Sequence, residues 1–252
     1  GEHRILQARS PVDRPAPRDY LQSGLNVFLA LGARFSRGWR VDVDGDLPIG
    51  KGLSSSSALC VGWAALLAAA ADPPIPLTPL ETAQLAFRME VLEFGEPGGM
   101  QDHLASALGG LIHMDFNDDP AAVPSIRRLN PEIADLLLVD SGTVKETIGM
   151  IRRIRQAVER QAAECQNTEY QAAEYRDPGP LRLSRRSADG VPDHCAALKA
   201  TLINRDIVRE AAPRLAPGAP VPETALADWI NRHHRQLRTG IGSSTPDLDA
   251  LI

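Results

Sequence analysis

The sequence predicts an α+β protein built in two halves that divide near residue 125. Two observations lead to this fold class. Segments with helical periodicity alternate with short strand-like segments along the 252 residues. A stretch rich in turn-forming residues, at 117–131, then separates two groups of such segments. We therefore expect one domain over residues 1–125 and a second over residues 126–252.

The N-terminal half is expected to open with a helix and a strand. Apolar side chains recur at helical spacing over residues 19–35. Residues 39–44 alternate apolar and polar side chains, which is typical of a half-buried strand. A loop containing Gly50 and Gly52 follows, and it leads into a strongly apolar helix at 56–71. The order of strand, glycine-bearing loop and helix is the first feature that indicates a chemical role.

The remaining elements follow from capping signals and periodicity. The tetrapeptide Thr-Pro-Leu-Glu at 78–81 has the pattern of a helix start and predicts a helix to about residue 94. A helix at 100–108 and a strand at 111–116 complete the first half. In the second half we expect a strand at 134–140 and helices at 147–165, 193–212, 222–238 and from 246 onward.

The charge balance argues against two classes of partner. The net charge is −5 and the sequence pI is about 5.7, so no general electrostatic attraction to nucleic acid or an anionic membrane is expected. The longest apolar run, at 58–71, is shorter than the roughly 18 residues of a membrane span. We expect a cytoplasmic protein that is a monomer or a homodimer.

The cysteine and histidine positions indicate no metal framework. Cys60, Cys165 and Cys195 are odd in number and form no CxxC pair, which argues against a disulfide framework or a structural zinc site. The six histidines have no metal-ligand spacing with other ligands.

The glycine-bearing loop carries the strongest chemical signal. It reads Pro-Ile-Gly-Lys-Gly-Leu at 48–53 and is followed by four serines at 54–57. Glycines allow backbone N–H groups to approach an anion, and the following helix adds its positive dipole end. Serine hydroxyls can bind phosphate oxygens or Mg²⁺. The alternative is a serine-rich helix cap after a glycine turn. A Walker A loop is excluded, because no Gly-Lys-Ser/Thr stands at the helix start.

The segment at 48–58 resembles the second motif of the GHMP family of small-molecule kinases, which is the phosphate loop of that family. The segment at 90–116, with its Gly-Gly-Met-Gln-Asp-His run, resembles the family's segment with the catalytic aspartate. The segment at 231–251 is similar to the stretch before the third motif, and residues 1–3, Gly-Glu-His, resemble the end of the first. That third motif follows the stretch in the family, so we expect the C-terminal domain to be incomplete at its C-terminal end.

The resemblance implies a two-domain α+β fold with the active site in the cleft between the domains. It implies transfer of the γ-phosphate of ATP, with Mg²⁺, to a hydroxyl of a small molecule. The nucleotide-binding residues implied are Pro48, Gly50, Lys51, Gly52, Leu53, Ser54, Ser55, Ser56 and Ser57. Lys51 has a simpler interpretation as a solvated loop residue.

The remaining implied roles concern the metal, the base and the substrate. Ser56 and Glu90 match the metal ligands, with Glu93 as a competitor for the second place. Asp102 matches the residue that accepts or orients the hydroxyl proton. It could instead be an acidic residue that favours a helix N-terminus. The substrate-binding residues implied are Glu2, His3, Gly99 and Asp102.

The substrate class stays open at this level. Features of the phosphate loop and of the segment at 234–249 favour galactokinases, and the Asp102 segment also resembles heptose-phosphate kinases. The apolar Ile5 after Gly-Glu-His is closer to mevalonate kinases. We expect a sugar or sugar-like substrate, with mevalonate or another non-sugar alcohol as the alternative. A catalytically inactive member that senses a ligand is the alternative of another class.

Overall fold

The computed structural model describes residues 5–6, 8, 10–13, 15–116, 123–129, 138–142, 147–169, 188–189, 191–215 and 221–251. The chain divides into two compact units, residues 1–109 and residues 110–252. The domain boundary that we expect near residue 125 stays a prediction.

The described residues of unit 1 form a group of four α-helices. They are α1 Tyr20–Ala30, α2 Ser55–Ala70, α3 Pro79–Phe87 and α4 Gln101–Leu108, and a π-helical segment Arg88–Leu92 extends α3. Asp19 begins α1 by accepting a hydrogen bond from the Gln22 backbone N–H. Thr78 and Glu81 form the capping box expected at the start of α3. The helices expected in this half are therefore present.

Helix α2 is central to unit 1. It packs against α1, α3 and α4, and it is apolar on most of its surface because its neighbours cover several faces. Cys60, Trp63, Ala64 and Leu67 lie in the core with Phe28 of α1. The Trp63 Nε1 donates a hydrogen bond to the Leu21 carbonyl at 2.9 Å, which fixes the ring between α1 and α2.

The π-helical segment changes the backbone hydrogen bonding next to α1. The Glu93 N–H donates to the Arg88 carbonyl at 3.0 Å, a bond that spans five residues. The Ser23 hydroxyl of α1 donates to the Met89 carbonyl at 2.8 Å. A buried carbonyl within the segment thus has a side-chain partner. The segment carries Glu90 on its buried side.

The strand expected at 39–44 is wrong. These residues are exposed and have no strand conformation. A strand requires a partner for its backbone groups, and no described residue of unit 1 pairs with this segment. Alternation of apolar and polar residues alone does not supply that partner.

In unit 2, the part of the chain that the structure describes forms a small sheet and four α-helices. Strands β1 Leu111–Asp115 and β2 Ser125–Leu129 are antiparallel, with Leu111 opposite Leu129. The helices are α5 Thr147–Glu169, α6 Ala196–Arg214, α7 Glu223–Gln236 and α8 Pro246–Asp249, and a π-helical segment Leu237–Ile241 extends α7. Of the strand expected at 134–140, residues 134–137 lie outside the described residues, and 138–140 are not a strand.

Helix α6 is the common neighbour within unit 2. It packs against α5 through a core that includes Val158, Ala162 and Leu198. On its other side, Glu210 of α6 accepts a hydrogen bond from the Trp229 Nε1 of α7 at 3.0 Å. Helices plus an antiparallel sheet confirm the α+β class. None of the helices in the described part of the chain combines the length and apolar character that a membrane span requires.

The contact between α1 and α2 gives a first testable prediction. A Cβ on Gly24 would lie 2.6 Å from Cδ1 and Nε1 of Trp63. The ring cannot yield without losing its hydrogen bond to Leu21. We expect Gly24→Ala to lower the free energy of unfolding by roughly 1–3 kcal/mol, as overpacking does in tight cores. Urea unfolding followed by circular dichroism measures the change.

Gly62→Ala is the matched control. Gly62 also lies in a helix of unit 1, and a Cβ there would meet open space. We expect this variant to gain up to about 1 kcal/mol, because alanine is the better helix former. Equal stability of the two variants would contradict the packing described for Gly24.

Candidate functional site

The loop before α2 turns sharply at alternate residues. Gly50 has a φ of 74°, Gly52 of 81° and Ser54 of 56°. Glycine adopts such left-handed conformations without strain, whereas serine does so at a cost. Left-handed residues of this kind occur in loops whose backbone N–H groups bind an anion. Pro48 and Gly50 are exposed within it, and Lys51 and Leu53 are half-buried.

The four serines do not serve as a simple helix cap. Ser54 is the N-cap residue of α2, but its hydroxyl makes no capping hydrogen bond. The Ala58 N–H donates to the Ser54 carbonyl at 3.0 Å. The backbone N–H groups of Ser55, Ser56 and Ser57 thus lie in the first turn of α2. N–H groups in the first turn of a helix have no carbonyl acceptor within that helix. Such a turn attracts negative charge.

Glu90 reaches this first turn from the π-helical segment. It is 8% exposed, and its carboxylate lies beside the hydroxyls of Ser56 and Ser57. Burial alone would raise the pKa of Glu90. The contacts from His103, Ser56 and Ser57 outweigh burial and hold its pKa below the ordinary value. The structure therefore keeps an ionised carboxylate beside the serines. Glu93, the competitor, instead accepts from Arg88 Nε at 2.9 Å and is largely exposed.

His103 is a member of this cluster that the sequence did not assign. It is 1% exposed, and its Nε2 lies 2.7 Å from Oε2 of Glu90. Neither ring nitrogen is aligned for a hydrogen bond, and Oε2 also makes none. Phe87 packs edge-on against the imidazole with centroids 5.6 Å apart. Glu90 and His103 are 13 positions apart, so the sequence does not reveal this contact.

Asp102 lies in the first turn of α4 and is exposed. Its neighbour His103 points into the core, so adjacent residues of α4 have opposite environments. Gly99, just before α4, is exposed, and an added Cβ would meet no other atom within 4 Å. Glu2 and His3 lie outside the described residues. Their expected place at the substrate stays a prediction.

The segment at 231–251 forms a polar cluster of its own in unit 2. The Ser244 hydroxyl donates to Oδ1 of Asp249 at 2.6 Å, and His234 Nε2 lies 3.3 Å from the same oxygen. Arg238 Nε lies 3.0 Å from Oδ2. Asp249 thus joins α8 to the end of α7 and to the π-helical segment that follows it.

The oxygen atoms around Glu90 are compatible with a magnesium ion. Glu90 offers a buried carboxylate, whose Oε2 makes no aligned hydrogen bond although His103 Nε2 lies 2.7 Å away, and Ser56 offers a hydroxyl beside it. Buried polar atoms of this kind are ordinarily satisfied, and hard oxygen donors suit Mg²⁺. The two residues proposed for the metal from the sequence are therefore brought together.

A family of known proteins matches most of unit 1. Residues 20–110 match the model of the GHMP kinases N terminal domain. Over 92 residues the chain is 36% identical to a D-glycero-alpha-D-manno-heptose 7-phosphate kinase of Campylobacter jejuni, covering 36% of this chain and 26% of that protein. It is 28% identical over 137 residues to a mevalonate kinase of Thermococcus gammatolerans, covering 54% and 39% respectively.

A galactokinase of Mycobacterium bovis aligns over a longer stretch. It is 29% identical over 220 residues, which cover 85% of this chain and 57% of the galactokinase. The aligned parts therefore span between about a quarter and somewhat more than half of these relatives. No solved structure matches the chain significantly. The matched domain and these three kinases agree with the phosphate-loop and Asp102 segments, and together they support assignment of residues 20–110 to the GHMP kinase family.

Proposed function

We propose that this protein transfers the γ-phosphate of ATP to a hydroxyl of a sugar or sugar-like metabolite, in the presence of Mg²⁺. One observation carries the proposal. The buried carboxylate of Glu90 lies beside serines in the first turn of α2, directly after the left-handed residues of the glycine loop. An anion site and a cation site would thus lie side by side at one helix end.

The glycine loop and the first turn of α2 would hold the triphosphate. Residues 48–57 supply backbone N–H groups and serine hydroxyls, and the helix dipole adds attraction for negative charge. Phosphoryl transfer depends mainly on such positioning and charge neutralisation. Mg²⁺, when bound by Ser56 and Glu90, would neutralise charge on the phosphate oxygens. His103 Nε2 lies 2.7 Å from Oε2 of Glu90, and this contact would fix the direction of the carboxylate.

Asp102 would act on the substrate hydroxyl that receives the phosphate. Its exposure at the start of α4 leaves the carboxylate accessible to a small molecule. In the reaction, the substrate oxygen forms a bond to the γ-phosphorus, and the bond from that phosphorus to the β-phosphate oxygen breaks. The hydroxyl proton would pass to Asp102, or Asp102 would orient the hydroxyl as it attacks. Gly99, Glu2 and His3 are proposed to contact the same substrate.

The names of the relatives favour a sugar acceptor. The galactokinase aligns with 85% of this chain, and the heptose 7-phosphate kinase has 36% identity over its shorter match. The mevalonate kinase aligns with 54% of this chain at 28% identity, which keeps a non-sugar alcohol as the second candidate. The cytoplasmic location stays a prediction.

The role of Asp102 is tested by turnover. The assay measures ATP consumption with Mg²⁺ across hexoses, heptose phosphates, amino sugars and mevalonate. We expect Asp102→Asn to lower kcat by about 10²–10⁴-fold while ATP binding is retained, because the variant keeps the size of the side chain but cannot accept the proton.

Glu223→Gln is the control for Asp102. Glu223 is also an acidic residue in the first turn of a helix, so its variant loses only the favourable interaction with a helix dipole. We expect its kcat to stay unchanged. An Asp102→Asn variant with normal kcat and slightly lower stability would identify Asp102 as a helix-dipole residue instead.

The metal assignment is tested by exchanging the two glutamates separately. We expect Glu90→Gln to raise the Mg²⁺ concentration for half-maximal activity by more than about tenfold, because an amide is a weaker ligand than a carboxylate. Mn²⁺ binding with a non-hydrolysable ATP analogue, followed by electron paramagnetic resonance, should weaken in parallel. Glu93→Gln is expected to leave both quantities unchanged.

The outcomes separate the remaining alternatives. A larger effect of Glu93→Gln than of Glu90→Gln would transfer the ligand role to Glu93. Binding of ATP without turnover of any compound would favour an inactive member that senses a ligand. Absence of ATP binding to the folded protein would refute the kinase proposal.

A further inference from the structure

Three side chains with metal-binding atoms meet where α5 passes the beginning of α6 in unit 2. They are Glu164 of α5 and the consecutive residues His194 and Cys195. Their carboxylate oxygen, imidazole nitrogen and thiol sulfur all lie within 4.8 Å of one another. Thirty positions of sequence separate Glu164 from His194. Spacing rules applied to the sequence therefore do not reveal the group.

The three donor types fit a transition metal of the zinc kind. Thiolate, imidazole and carboxylate are the usual protein ligands of Zn²⁺, at about 2.0–2.3 Å from the ion. Tetrahedral coordination at these bond lengths puts ligand atoms roughly 3.2–3.8 Å apart. Glu164 and His194 are exposed, so their side chains can rotate through the small remaining distance. The buried Cys195 would be the fixed member.

The scaffold under the three ligands is well packed. Cys195 belongs to a buried cluster with Val158 and Ala162 of α5 and Leu198 of α6. Cys195 is the N-cap residue of α6, yet its side chain makes no capping hydrogen bond. Gln161 does this instead, because its Oε1 accepts from the Leu198 N–H at 3.0 Å. The cap of α6 would therefore survive when the thiol binds a metal.

The geometry of α5 directs Glu164 toward the thiol. The Cys195 sulfur lies 3.9 Å from the Gln161 carbonyl oxygen. Residue 164 stands one helical turn after residue 161 and projects from the same face. Arg160 lies 3.9 Å from Glu164, and both side chains are more than half exposed. Such a surface pair contributes little and would be readily replaced by a cation.

We propose that Glu164, His194 and Cys195 bind a Zn²⁺-type ion, with water in the fourth position. Binding would release the thiol proton of Cys195 to solvent and leave a thiolate on the metal. The ion would connect the C-terminal part of α5 to the start of α6. This site lies in unit 2 and is independent of the magnesium site proposed for Glu90.

Cobalt(II) titration of the untagged, reduced 252-residue chain tests the proposal. We expect about one equivalent to produce visible bands typical of four-coordinate Co²⁺ and a near-ultraviolet thiolate band, both removed by added Zn²⁺. Zn²⁺ should also raise the melting temperature of the protein. Absence of the thiolate band with excess Co²⁺ would overturn the proposal.

The variants identify the ligands. Cys195→Ser should remove the thiolate band, whereas Cys60→Ser, which changes a buried cysteine of unit 1, should keep it. His194→Gln and Glu164→Gln change exposed side chains and test the site without disturbing the core. We expect each to weaken Co²⁺ binding by more than about tenfold. Loss of the band in Cys165→Ser with retention in Cys195→Ser would refute the assignment.

Discussion

The proposed active site depends on a buried carboxylate held beside a helix N-terminus. Glu90 lies on a π-helical segment, and its carboxylate lies beside Ser56 and Ser57 of α2. An ionised group in such a place is stable only if hydrogen bonds and nearby positive potential replace its hydration. The first turn of α2 supplies both. The same turn would bind phosphate. The positive end of α2 would therefore stabilise both the buried Glu90 carboxylate and the bound anion.

The packing of unit 1 maintains this arrangement. Gly24 lets α1 approach Trp63 of α2 closely, and the Ser23 hydroxyl binds the Met89 carbonyl next to Glu90. Helix α1 therefore contacts both α2 and the π-helical segment that carries Glu90. His103 approaches Glu90 from α4 with its ring against Phe87. Three elements of the helix group thus fix one carboxylate, and a rigid carboxylate is what a metal ligand requires.

Much of this was predictable from local patterns. Thr78, Pro79 and Glu81 predicted the start of α3, and the apolar run after the serines predicted α2, because capping and burial act within a few residues. The strand expected at 39–44 was wrong. A strand depends on a distant partner, and alternation along one segment carries no information about that partner. The contact of His103 with Glu90 was missed for the same reason.

The sequence by itself determined the helices, the glycine loop with its serines and the resemblance to GHMP kinases, since each is encoded by neighbouring residues. Only the tertiary structure decided which glutamate meets the serines. Glu90 and Glu93 are three positions apart, yet the π-helical segment buries Glu90 and leaves Glu93 with Arg88 at the surface. It also decided that Glu164 meets His194 and Cys195. Such side-chain contacts arise when helices that are distant in sequence pack together, and the spacing of residues along one segment does not encode them.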